Sequence, residues 1–455
     1  MNFPFHLVEK YNVPLPRYTS YPTVPHWQNE IDILQWNANF SNTFAASNNQ
    51  NGISIYIHLP FCESLCTYCG CNKKITNNHA VEDEYVKAIL KEWKLYLQLM
   101  NKQPVIRELH LGGGTPTFFS PGNLKKLLSA IFETAVIHPQ HDFSFEGHPN
   151  NTTEEHLQTL FDLGFTRVSY GVQDHDENVQ KIINRIQPFE NVKRAVETAR
   201  TIGYQSVNFD LIYGLPLQTP QTITKTIMQS ISLQPDRVAF YSYAHVPWTS
   251  RGQRLFDEND LPNASQKMQL YMLGKKLFTE MGYNDIGMDH FALTHDDLFI
   301  ASETGNLHRN FMGYTTQNTN MLIGLGVSSI SDTGNAYAQN KKTLHDYYAD
   351  IELNKIPVTK GYFLTDVDLR FKKYILNIIC KGHTKFSIED EHLLSQYTFP
   401  QLANLLEDNL ITLNTAELTV TPAGKNFLRN ICKAFDMHLL TTKNNQQKPV
   451  YSKAI

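Results

Sequence analysis

The sequence predicts an α/β chain of repeated strand–helix units. These lay down a parallel sheet, open or curled into a barrel, with an N-terminal segment before it and a smaller, mostly helical domain after it. Three observations carry this. Six short β-branched or aromatic runs recur between residues 53 and 244, separated by helical patterns. Each run ends in a polar or glycine-rich loop. From about residue 365 the alternation stops and apolar residues recur at helical spacing.

Residues 1–50 are loop-rich, punctuated by Pro14, Pro16, Pro22 and Pro25. ISIYIH (53–58) is the first strand. Over 82–99, Tyr85, Val86, Ile89, Leu90, Trp93 and Leu97 fall on one helical face. Strands follow at VIRELHL (105–111), FSFEG (143–147), RVSYGV (167–172), SVNFDLIYG (206–214) and RVAFYSYA (237–244), and helices at 122–135, 153–163, 188–202 and 220–232. The closing loops read HLPFC, GGGTP, EGHP, GVQD, DLIYGLP and YAHVP. In parallel α/β folds ligands bind where the strands end, so all six loops converge on one rim. Residues 265–281 read as a helix, followed by Gly- and His-rich segments. The domain division is 1–50, 51–355 and 356–455. In the last part 366–380 is helical, and 402–414 with 418–430 reads as helix, short hairpin, helix, a winged-helix-like unit. With no basic stripe it suits a cap or lid rather than a DNA reader. The tail NNQQKPVYSKAI (444–455) reads as mobile.

The 455 residues include 40 Lys+Arg against 44 Asp+Glu, a net charge of −4, which argues against a nucleic-acid binder or a polybasic membrane protein. There is no run of 18 apolar residues, hence no membrane span is expected. MNFPFHLVEKYNVP lacks the basic start and apolar stretch of a signal peptide, so a cytoplasmic location is expected.

Of six cysteines, Cys62, Cys66, Cys69 and Cys71 fall within ten residues, while Cys380 and Cys432 stand alone and read as core. A disulfide framework spreads its cysteines, so this crowding reads as metal or redox chemistry. Sulfur ligation suits zinc or an iron–sulfur cluster. Structural zinc sites use two separated pairs; one contiguous loop after a first strand fits a cluster better. Three cysteines on a four-iron cube leave one iron open, which makes the site catalytic. Cys71 is read as a fourth ligand, a reactive thiol near substrate, or a buried thiol. Alternation along an extended loop turns it away from Cys69 and favours a non-ligand near substrate.

The remaining loops offer ligand contacts. The Gly112-Gly113-Gly114-Thr115-Pro116 run lets backbone approach a ligand closely. Glu146 can accept from a ribose or an ammonium. Gln173 and Asp210 end strands four and five, and Arg185 can meet a carboxylate with its planar fork.

The Cys-x3-Cys-x2-Cys loop after a first strand, with Tyr68 before the third cysteine, resembles the radical S-adenosylmethionine (SAM) superfamily. YIHLPFCESLCTYCGCN (56–72), GGGTPT (112–117), GVQD (171–174), INR (183–185), DLIYGLPLQT (210–219), YAHVP (243–247), GMDHFA (287–292), LHRNFMGYTTQ (307–317), LGVSSIS (325–331) and RYTSYPT (17–23) narrow it. In that order they resemble the oxygen-independent coproporphyrinogen III oxidase family, over about residues 5–440. The resemblance implies a partial (β/α)6-type radical SAM barrel, with residues 1–50 contributing to the active-site cover. It implies one [4Fe-4S] cluster, two SAM molecules, and decarboxylation of two propionates of coproporphyrinogen III to vinyl groups, giving protoporphyrinogen IX. Heme-carrier paralogues typically lack the Cys-x-Cys ending and the RYTSYP segment, both present here; another radical SAM reaction on a tetrapyrrole is the further alternative.

By the same resemblance Cys62, Cys66 and Cys69 ligate the cluster. Tyr56, Gly113, Glu146, Ala244 and Ile330 match positions around the first SAM. Tyr68, Gly114, Thr115, Gln173, Arg185 and Asp210 match positions around the second. Cys71, Tyr56 and His58 are the catalytic candidates. Charge alone suggests Arg17, Arg309, His58 or His308 for the propionates; His290 and His308 can equally be structural. A reduced flavodoxin- or ferredoxin-like electron donor, no nucleic acid and a monomer are implied. Two positions depart from the family: His148 stands where an acidic residue is commoner, and Met312 where many members carry Gln, which would touch the second SAM site.

Overall fold

A computed structural model describes residues 6–317, 319–442 and 450–455. Six parallel strands form its centre: β1 (Ile53–Leu59), β2 (Val105–Gly113), β3 (Val136–Gly147), β4 (Phe165–Gln173), β5 (Ser206–Tyr213) and β6 (Arg237–Ser242), hydrogen-bonded in that order. Period-two alternation splits each strand between two surroundings. Ile53, Ile55, Ile57, Leu109, Leu111, Phe143, Phe145, Val168, Phe209 and Phe240 are buried and apolar, and take part in the main hydrophobic core. The alternate residues are polar. In register, Tyr56 faces His110, His110 faces Ser144, and Gly171 faces Asp210.

The polar face is paired in tiers. At the amino ends, Ser54 Oγ and Thr315 Oγ1 donate to Glu108, Arg167 pairs with Asp142 at 2.8 Å, and Arg237 with Asp296 at 2.6 Å. These buried ions survive because each has a partner. At the carboxyl ends the polar groups open into cavities, which frees them for ligands.

The helices fall close to their expected places: Val81–Leu97, Pro121–Phe132, Glu154–Asp162, Phe189–Ile202, Pro220–Ser232 and Ala264–Glu280. One reading is corrected. The N-terminal segment is not loop throughout: Ile33–Ser47 is a helix, with Asp32 accepting from the Leu34 and Gln35 amides, and with Trp36, Phe40 and Phe44 fully buried. The Gly- and His-rich stretch, to which the sequence assigned no element, is ordered as well. It supplies Asn284–Gly287 and His290–Ala292 on the β6 edge, and Leu322–Leu325, Ile330–Asp332, Ala336–Asn340 and Val358–Phe363 on the β1 edge, completing twelve strands. These strands hold three to six residues, too short for periodicity to mark.

The C-terminal part begins with Asp366–Lys381, capped by Thr365, continues through Phe399–Glu407 and Leu428–Lys433, and carries a small sheet of His383–Lys385, Glu417–Val420 and Ile411–Leu413. The expected mobile tail is also corrected where it is described: Leu15 N–H donates to Ser452 O at 3.1 Å, and Ala454 N–H to Val13 O at 2.9 Å. Residues 444–449 of it lie outside the described residues. No helix among the described residues is long and apolar enough to cross a membrane.

Candidate active site

The cysteine loop leaves β1 at Leu59 and is laced to the glycine loop after β2. Gly114 N–H donates to Leu59 O at 2.8 Å and Thr115 N–H to Phe61 O at 3.0 Å. The approach is so close that a Cβ on Gly114 would stand 2.6 Å from the Pro60 carbonyl oxygen. Gly113, at φ +119°, occupies backbone space that other residues rarely adopt, and a Cβ there would meet the His58 ring at 2.8 Å. Glycines at these two positions are therefore geometric necessities.

A cavity of about 490 Å³ opens over this pair of loops, walled by Cys62, Cys66, Tyr68, Cys69, Cys71, Gly113, Gly114, Thr115, Glu146, Gln173, Arg185 and Asp210. A second, of about 510 Å³, is walled by Tyr56, His58, Cys71, Gly113, Glu146, Met312 and Ile330, among others. The two share Cys71, Gly113 and Glu146. The residues matched to two SAM molecules thus sort into two spaces with a common border. Ala244 walls neither; its carbonyl accepts from Gln253 Nε2 at 3.0 Å, and the same nitrogen donates to Tyr68 O at 2.9 Å.

All four clustered cysteines are free thiols. Thr115 Oγ1 donates to Cys62 Sγ at 3.4 Å, Arg185 Nη1 to Cys66 Sγ at 3.6 Å, and Lys73 Nζ to Cys69 O at 2.9 Å. Burial pushes the Cys62 thiol up to about 11, whereas the Cys71 side chain beside it, and then Lys73, bring Cys69 down to about 6 despite burial. Cys69 and Cys71 were expected on opposite faces. Residues 67–71 turn rather than extend, so the two thiols touch. Among the described residues no three His, Cys, Asp or Glu side chains are gathered as one metal ion requires. Three soft sulfur donors along one cavity wall, with Arg185 and Lys73 beside them to balance thiolate charge, do fit a four-iron cluster, whose ligands attach to separate irons.

Around the shared border, Glu146 accepts from Gly113 N–H at 3.3 Å and lies 3.6 Å from His110 Nε2. Burial works to raise its carboxyl, but the His110 contact, the Gly113 amide and His58 outweigh it and hold the group below the usual glutamate range. Asp210 moves the other way: burial, then the Glu146 charge, push it up to about 7 against Ser169 and Arg185. His148 is held down to about 2 by burial and by Arg185. On β1, Tyr56 OH lies 3.1 Å from His58 Nδ1, and His58 Nε2 lies 2.9 Å from Asn72 O. A carbonyl partner requires the proton on Nε2, so Nδ1 accepts from Tyr56. Gln173 is held at φ +67°, a strained conformation concentrated at ligand sites.

The structure therefore gathers the expected cluster and SAM residues at the rim except Ala244, whose carbonyl is held by Gln253, while Arg17, Arg309 and His308, suggested for the propionates, wall other cavities. His110 and Gln253 were missed. His110 carries a signal, a histidine on the inward face two residues before the glycine run; Gln253 lies in an irregular loop and carries none. Met312 walls the cavity of Tyr56 and Ile330, while His148 walls the cysteine cavity.

Residues 56–229 match the model of the radical SAM superfamily. The oxygen-independent coproporphyrinogen III oxidase of Pseudomonas aeruginosa is 36% identical over 445 residues, 95% of each chain. That of Helicobacter pylori is 38% identical over 444 residues, 96% of each chain. The structure of the Escherichia coli coproporphyrinogen III oxidase, described as a radical SAM enzyme, superposes with a TM-score of 0.88 at 34% identity, covering 96% of this chain and 99% of that one.

Proposed function

The chain belongs to the oxygen-independent coproporphyrinogen III oxidase family of radical SAM enzymes, and from that membership we propose how its two cavities divide the work of anaerobic heme biosynthesis. It is an oxidoreductase that decarboxylates two propionates of coproporphyrinogen III to vinyl groups, giving protoporphyrinogen IX. Held by the rim residues, a [4Fe-4S] cluster with SAM would supply the radical chemistry that this decarboxylation needs.

The observation that carries the division is the sorting of two residue sets into two adjoining cavities. We assign Cys62, Cys66 and Cys69 to the cluster. Arg185 balances their charge from 3.6 Å and Thr115 steadies Cys62. Tyr56, Gly113, Glu146 and Ile330 hold one SAM, with Ala244 acting through Gln253. Tyr68, Gly114, Thr115, Gln173, Arg185 and Asp210 hold the other. Each cavity falls in the size range of small-molecule sites. Glu146, kept ionised by His110, accepts from an ammonium or a ribose at the border. Asp210, titrating near neutrality, accepts from a hydroxyl or holds a proton. Tyr56 and His58 form a fixed donor–acceptor pair facing the second cavity. Cys71, on the border of both, we assign to substrate rather than to iron.

In the same proposal, residues 1–50 and 356–455 flank the 51–355 barrel and cover its rim. The stitching of Leu15 to Ser452, and of Tyr18 OH to Asp436 at 3.1 Å, supports this. The electron donor is of flavodoxin or ferredoxin type, and the enzyme works as a cytoplasmic monomer. Equilibrium dialysis of the reconstituted protein against labelled SAM tests the division. Two SAM per chain are expected, falling to one in Tyr56→Ala or Asp210→Ala; one SAM in the unmodified protein contradicts it.

A further inference from the structure

Arg309 lies on the two-stranded ribbon His308–Asn310 and Gly313–Thr315, opposite Tyr314, with its guanidinium carbon 4.8 Å from that ring. It is only 8% exposed. Among the described residues neither Nε nor Nη1 has a hydrogen-bond partner, and no carboxylate forms an ion pair with it. A buried guanidinium left this way is disfavoured unless something answers it.

The surroundings deepen the deficit. One carboxylate, Asp289, faces Arg17, Arg429, Arg309 and Lys267 together. Three of these cations are committed to main-chain oxygens. Arg17 donates to Ser242 O at 2.6 Å, Lys267 to Tyr243 O at 2.7 Å, and Arg429 to carbonyls that include Pro16 and Ala454. Among the described residues Arg309 has no such bond. His290 Nδ1, against the same Tyr314 ring at 5.1 Å between centroids, is also buried and unpartnered. Arg309 walls a cavity of about 200 Å³, which shares Leu322 with the cavity of Tyr56 and His58. Its charge also reaches Tyr241, on the wall of the cysteine cavity.

We propose that Arg309 receives one propionate carboxylate of the tetrapyrrole through its planar fork. This rests on the coproporphyrinogen reading above. The space is too small for the macrocycle but takes a side-chain carboxylate. An arriving anion satisfies the orphaned donors and the uncompensated charge in one step. Asp332 walls the same cavity but is paired with Lys372 at 3.6 Å, and among the described residues no carboxylate stands at ion-pair distance from the Arg309 guanidinium.

The test is fluorescence titration with coproporphyrin III, the stable oxidised macrocycle, alongside SAM binding and thermal unfolding of the reconstituted enzyme. Arg309→Gln and Arg309→Met are expected to weaken coproporphyrin III on the order of tenfold or more. SAM affinity should stay unchanged, and Tm should hold or rise, because an unpaired buried charge has gone. Arg309→Lys should recover part of the loss. Unchanged porphyrin affinity in Arg309→Gln, or a fall in Tm in Arg309→Met with SAM binding lost in parallel, overturns the proposal. If the unmodified enzyme binds no coproporphyrin III and forms no divinyl product, the functional reading itself fails, which is a different outcome.

Discussion

The Arg185 guanidinium stands 3.6 Å from the Cys66 sulfur while its other nitrogen donates to the Gly171 carbonyl. A fixed cation at that distance favours the more negative state of whatever the sulfur ligates. Arg185→Met should therefore lower the reduction potential of the reconstituted cluster. The expected fall is on the order of 60 mV, the one-electron equivalent of about 1.4 kcal/mol. Redox titration followed by electron paramagnetic resonance checks it; an unchanged potential contradicts the charge-balancing role.

The cysteines are expected to separate in a substitution series. Cys62→Ala, Cys66→Ala and Cys69→Ala should lose bound iron and all SAM cleavage. Cys71→Ala should keep both and lose conversion of substrate, because it borders the two cavities without being assigned to iron. Iron content and deoxyadenosine release, measured side by side, read the difference. Loss of iron in Cys71→Ala would make it a ligand.

Gly114→Ala should open the stitch between the two loops, since its Cβ would stand 2.6 Å from the Pro60 oxygen. Backbone must move, and the moving backbone leads into Cys62. Reconstituted iron should fall by more than half, while stability drops by about 1–3 kcal/mol. Full iron retention would show that the cysteine loop tolerates the shift.

Far from the rim, Glu92 is fully buried and accepts from Gly326 N–H at 2.8 Å, Asn340 Nδ2 at 2.6 Å and Tyr347 OH at 2.7 Å. Burial pushes its carboxyl up to about 7 despite these donors. The folded chain therefore holds a proton that the unfolded chain releases near pH 4.5. This group's contribution is full below that pH, falls as pH rises to about 7, and is flat above. Between pH 5 and 8 the loss is about 2–3 kcal/mol. Urea unfolding of Glu92→Gln against the unmodified chain should show that slope removed; parallel pH profiles would contradict it.

Much of the rim was legible because strand chemistry repeats every two residues. ISIYIH announces both an apolar face and the inward Tyr56 and His58; VIRELHL carries the same alternation for His110, which no motif singled out. Crowded thiols and a glycine run also signal through residue type alone. The helix Ile33–Ser47 escaped because prolines before it drew attention from the Asp32 cap and from Trp36, Phe40 and Phe44 at fourfold spacing. The edge strands from Leu322 to Phe363 escaped because pairing partners, not sequence period, define strands so short. The contact of Cys69 with Cys71 depends on a turn that alternation cannot foresee. The unpartnered Nε and Nη1 of Arg309 depend on which groups the fold brings around it, and no local pattern encodes that.

The central claim is that this rim cleaves SAM to decarboxylate a tetrapyrrole. Anaerobic reconstitution with iron and sulfide, reduction, and addition of SAM with coproporphyrinogen III tests it directly. The account predicts deoxyadenosine release coupled to protoporphyrinogen IX, with two SAM cleaved per divinyl product. Stable heme binding with no SAM cleavage and no vinyl product would contradict it.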